Sequence, residues 1–214
     1  MKLTFIIDKD YDKSFVSKAY LEKLDKQYEI NEKFKFLESA IDLYKESWDK
    51  INDEFSDYIE RVTGYKWFYD DYECVVSVIH GGMSNWGNAP KIVRSWKENP
   101  YSMRRITAHE LILSHYFEIY KRNYEEENLT DGQVWALAEI AAFALTSLTP
   151  EVKEFWPWNA EYYTEHNYPH IVEIQNELKG VFLNMKNFDE YIEKGISLIK
   201  KYPEMSPDGY YKAP

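Results

Sequence analysis

Glu73-Cys74-Val75-Val76-Ser77-Val78-Ile79-His80, a glycine-rich cluster over 81–90, and Lys91-Ile92-Val93-Arg94-Ser95-Trp96 form the passage that decides the fold class. β-Branched residues fill the first run and alternation marks the last, so the passage reads as two strands flanking a turn. A third strand-like run, Leu3-Thr4-Phe5-Ile6-Ile7, lies near the start of the chain. Outward from these strands the helical period takes over. Leu37, Ile41, Tyr44, Trp48, Ile51, Phe55, Tyr58, Ile59 and Val62 recur in steps of four and three, the stripe of one long helix over about 34–62. Gly64 is placed to close it in a left-handed turn.

Beyond Trp96 every element reads as helix. One runs from Pro100 to about Tyr120, and a second from Gly132 to Leu148, capped by Asp131 and ended by Thr149-Pro150. Phe155-Trp156-Pro157-Trp158-Asn159 reads as an aromatic loop. Pro169 suits the first turn of a helix ending near Gly180, and Asn187 can cap a last one reaching about Tyr202. The expected fold is α+β and mainly helical, a single domain over 1–214. Its strand and helix part is 1–100, its helical part 101–202, and 203–214 is a loose tail.

The composition limits the function classes. Aromatic residues make up 17% of the 214 positions, too much large apolar surface for a disordered chain. Glycine and proline, 8 each, are too scarce for a loop-rich β architecture. A net charge of −11 repels a phosphate backbone, so no nucleic acid and no anionic membrane is expected as partner. Cys74 is the one cysteine, which excludes an intrachain disulfide and a Cys-rich zinc module. The first apolar run is five residues long, too short for a signal-peptide core, so a cytoplasmic location is the default expectation.

Chemistry concentrates in Arg104-Arg105-Ile106-Thr107-Ala108-His109-Glu110-Leu111-Ile112-Leu113-Ser114-His115-Tyr116-Phe117. His followed by Glu within a helix begins the zinc-peptidase pattern, in which the His ligates the metal and the Glu is the general base. The second His belongs four residues on, where one turn returns it to the same face; here that residue is Leu113. His115, six residues on, points roughly 120° away and about 9 Å further along a regular helix, so it joins His109 only if the helix is distorted, as by a π-bulge. Otherwise His115 is a solvated helix histidine beside Leu111, Glu118 and Arg122. Glu139 is the ionisable residue of an apolar helix: either it lines an exposed strip of small residues, or it is buried and needs a cation, a metal or several donors. His80 suits a hairpin end and Cys74 a small core residue.

This order of elements resembles the minimal gluzincin-like (zincin) zinc metallopeptidase architecture. There a strand beside a glycine-rich turn precedes a helix carrying His-Glu, and a following helix supplies a Glu. Residues 65–148 carry the resemblance. It implies a zincin-like fold, with a small N-terminal sheet packed on an active-site helix, and a zinc cofactor held by His109 and Glu139. Glu110 would be the general base, His115 a third ligand on an irregular helix, and His166 (or Tyr168 or His170) an oxyanion-side group. It also implies a peptide or protein substrate held in extended form along the strand at 91–96. The alternative is an inactive relative that uses the same cleft for binding.

Overall fold

Strand β1 (Lys2–Ile6) alternates exposed and buried residues, as a strand with one covered face should. It pairs in parallel with β2 (Asp71–Ser77), which has four consecutive buried residues. Parallel neighbours need a crossover. It is built from α1 (Lys9–Ser14), α2 (Lys18–Phe34), α3 (Phe36–Asp49) and α4 (Asn52–Thr63). A short β3 (Gly82–Ser84) then leads to β4 (Lys91–Ser95), which is parallel to β2 and antiparallel to β3. The sheet order is β1-β2-β4-β3.

This computed structural model describes residues 1–84, 90–157, 168–203 and 205. They fall into two units, Met1–Ser56 with Tyr69–Ser114, and Asp57–Phe68 with His115–Pro214. The divisions fall within α4 and the later helix α5 (Ser102–Asn123), not between 1–100 and 101–202.

In the first unit α3 packs on β1 and β2 through the stripe Leu37, Ala40, Tyr44, Ser47 and Trp48. Tyr44 donates to the Ser95 carbonyl at 2.6 Å and accepts from the Glu98 backbone N–H at 2.9 Å, fixing the turn after β4. Buried Asp12 accepts from the Tyr28 and Ser77 hydroxyls at 2.7 and 2.9 Å, which joins α1, α2 and β2. The single helix expected over 34–62 is two. The apolar stripe continues through Trp48, Ile51 and Phe55, but the backbone breaks at Lys50–Ile51, where the Ile51 N–H bonds the Trp48 carbonyl. Asn52 accepts from the Trp48 indole at 2.8 Å and donates to the Met1 carbonyl at 3.0 Å, and the new helix begins there. Helices α1 and α2 carry too sparse a stripe to declare themselves: α2 buries just Leu24, Tyr28 and Asn31. Strand β3 hides in the glycine-rich cluster because three residues are too few for alternation to register. The expected hairpin end at His80 is therefore corrected, since β2 and β4 are parallel and β3 pairs with β4. Residues 85–89 of that cluster lie outside the described residues.

The second unit is helical. Helix α6 (Asp131–Ser147) is buried nearly all round, with α8 (Ile171–Asn184) and α9 (Phe188–Ile199) packed on it and on each other. The short α7 (Val152–Phe155) follows α6, and the Trp156 indole donates to the Thr146 carbonyl at 2.9 Å. Gly195 of α9 allows close approach, for a Cβ there would lie 3.1 Å from Leu137. Asn187 caps α9, as expected, and Gly64 takes the left-handed φ of 75° after α4. The cap of α6 is Thr130, not Asp131. Its hydroxyl accepts from the Gln133 N–H while the Gln133 side chain accepts from the Thr130 N–H, a reciprocal capping box. Thr130→Ala is expected to cost about 1 kcal/mol in urea unfolding. No helix among the described residues is long and apolar enough to cross a membrane.

Candidate functional site

Strand β4 carries a charge where its neighbours are apolar: Arg94 follows Ile92 and Val93 and is 1% exposed. A guanidinium taken from water needs carboxylates, and two are present. Glu98, just past the strand, pairs with one terminal nitrogen of Arg94. Glu110, projecting from α5 and 7% exposed, has Oε1 3.9 Å from the other. Gly82 of β3 closes over this group. A Cβ at Gly82 would stand 2.2 Å from Arg94 Nη1 and 2.8 Å from Glu110 Oε1, so any larger residue there must displace the ends of these two side chains. Gly82→Ala is expected to cost roughly 1–3 kcal/mol of folding stability in urea unfolding, because the ion pair must shift to admit the methyl.

The sequence reading singled out Glu110 and missed Arg94. The signal was present, as a charged residue inside an otherwise apolar strand run.

His109 is half-buried on α5. Helix α5 is regular α-helix from Ser102 to Asn123, without the distortion that a His109–His115 ligand pair requires. Leu113, at the position of the missing second histidine, is 2% exposed and belongs to the core.

His115 is not solvated. It is 1% exposed, with ring centroids 4.8 Å from Trp67 and 5.2 Å from Phe68. The stripe on α5 put it beside Leu111, Glu118 and Arg122, but the covering rings come from the segment after α4. Neither ring nitrogen has a hydrogen-bond partner, and burial lowers its pKa to about 3, a shift that the Glu60 charge opposes. The Arg122 guanidinium stacks 4.6 Å from Phe68 and donates to Glu118 at 3.0 Å.

Glu139 lies on α6 and is 2% exposed, so the exposed small-residue strip is ruled out: Ala136, Ala142 and Thr146 around it are buried as well. His166 lies outside the described residues. His170 holds a left-handed φ of 58° at the cap of α8, with Glu173 3.8 Å away. Tyr168 is 6% exposed. Cys74 is fully buried in β2, and burial pushes its thiol well above the ordinary range, so it is an inert core residue.

These positions test the donor set that zinc would need. No group of three His, Cys, Asp or Glu among the described residues is arranged to hold a metal ion. His115 faces an aromatic cluster on a regular helix, and together with His109 it does not fit the tetrahedral set that a catalytic zinc takes. The strand at 91–96 is likewise unavailable for peptide addition, because β4 has β2 on one side and β3 on the other. The outer strand on that side is β3. No protein-family model, curated protein or solved structure matches this chain.

Proposed function

We propose that this chain is a zincin-like scaffold that binds an extended peptide without hydrolysing it. The supporting observation is the buried Arg94 guanidinium facing Glu110. In the peptidase pattern the glutamate after the first histidine must approach the attacking water as a base. Here that carboxylate faces a cation held by the sheet, beneath Gly82, where a Cβ would crowd both side chains. Leu113 in the core supports the same reading. Among the described residues β3 is the last strand on that side of the sheet, where an extended peptide could add.

One observation favours the second reading, a zinc-dependent hydrolase acting on peptide bonds. Glu139 is a carboxylate buried in an apolar helix, and a metal ion is one way to compensate it. In that case Glu139 would be one zinc ligand, and His109, Glu110 and His166 would take the roles that the resemblance implies. Zinc would supply Lewis-acid polarisation of the scissile carbonyl.

Zinc content by plasma mass spectrometry, with hydrolysis of a quenched-fluorescent peptide library, separates the two. We expect far less than one zinc per chain after incubation with the metal, and no turnover. One zinc per chain that His109→Ala removes, with cleavage that Glu110→Gln abolishes, would replace binding by catalysis.

A further inference from the structure

Helices α2 and α3 meet at Lys35, whose left-handed φ of 53° turns the chain sharply between them. Phe34 and Phe36 flank that corner and are 56% and 41% exposed. Their rings stack at 5.4 Å, and Phe36 stacks on Trp96 at 5.5 Å, so an aromatic ladder stands at the helix junction. Lysines interleave with it. The Lys33 ammonium lies 5.4 Å from the Phe34 ring, the Lys97 ammonium 5.2 Å from Trp96, and Lys35 is exposed between the two phenylalanines. Glu32 is paired with Lys9, and Glu38, two residues past Phe36, points about 200° round its helix.

The chain as a whole carries −11, yet screening limits each charge to about 8 Å at physiological salt, and the ammoniums of Lys33 and Lys97 lie 5.4 and 5.2 Å from the rings while Glu98, next to Lys97, answers Arg94. Pairing this corner with a second copy would bring like charges together. A peptide partner seeks a groove, whereas these rings stand out from a helix–helix junction. Projecting aromatic rings among lysines match a bilayer interface, where rings settle at headgroup level and lysines meet anionic phosphates. We infer that the corner formed by Lys33, Phe34, Lys35, Phe36, Trp96 and Lys97 docks the protein onto anionic lipid surfaces. This surface is independent of the peptide-binding reading.

Cosedimentation with sucrose-loaded vesicles tests it, comparing phosphatidylcholine alone with mixtures containing roughly one-third phosphatidylserine at about 0.15 M salt. The full chain should partition at least about tenfold more strongly onto the anionic vesicles. Phe34→Ser/Phe36→Ser and Lys33→Glu/Lys97→Glu should each reverse that gain, with far-UV circular dichroism unchanged because all four side chains lie at the surface. Absence of binding by the unsubstituted chain overturns the inference, as does binding that either folded variant retains. A concentration-dependent dimer in sedimentation velocity, lost in the phenylalanine variant and unaccompanied by vesicle binding, overturns it in favour of self-association.

Discussion

Arg94→Met is expected to lower folding stability by about 3 kcal/mol, the largest loss from any single substitution considered. The side chain is 1% exposed and answers two carboxylates, Glu110 at 7% exposure and Glu98 with its side chain at 21%. Methionine fills much of the same volume, so cavity formation contributes little. The cost arises because Glu110 and Glu98 lose this cation in a poorly solvated place. Full burial would put the loss nearer 5 kcal/mol, and the partial exposure of Glu98 reduces it. Glu110→Gln in the Arg94→Met background should recover about half, since it removes one of the two charges that Arg94 answered. Urea unfolding of the four proteins in this cycle, at pH 7, measures the coupling directly. A coupling energy under about 0.5 kcal/mol would mean that the two side chains do not act on each other, and the support for a non-catalytic Glu110 would go with it.

The second large effect is on acid stability, through His115. In the folded protein the imidazole resists protonation down to about pH 3, whereas in the unfolded chain it takes a proton near pH 6.5. Between those values the unfolded state binds more protons, so stability rises with pH across the window and is lost on acidification below about 6.5. From pH 7 to pH 5 this one group should remove about 2 kcal/mol. His115→Phe keeps a ring against Trp67 and Phe68 and cannot titrate. Its unfolding free energy should therefore fall less over the same interval, by about 2 kcal/mol. At pH 7 the variant should match or exceed the native chain, because two buried nitrogens without hydrogen bonds disappear. Parallel slopes for the two proteins in urea unfolding between pH 7 and pH 5 would show that the ring reaches water.

Local pattern made much of the fold legible. The strands at β1, β2 and β4 announced themselves by alternation and β-branching, and α5, α6 and α9 by period and caps. Where the pattern was thin, the reading failed. Helix α2 buries three side chains, β3 is three residues long, and the break between α3 and α4 keeps the apolar stripe intact across it. The cap of α6 slipped by one residue, because threonine and aspartate both cap and the hydrogen bonds alone decide between them.

The site divides in the same way. His109, Glu110, His115 and Glu139 were visible as unusual residues in helices, and Leu113 as the departure from the metal-binding spacing. Their partners were not visible. The sequence by itself determined the helical character, the strand positions and the defect at Leu113, since each depends on residues within a turn or two. Tertiary structure decided the parallel order of the sheet, the guanidinium facing Glu110, and the Trp67 and Phe68 rings over His115. Those contacts join segments far apart in the chain, and burial, which fixes what a charge or an imidazole does, is set by whatever such segments bring to it.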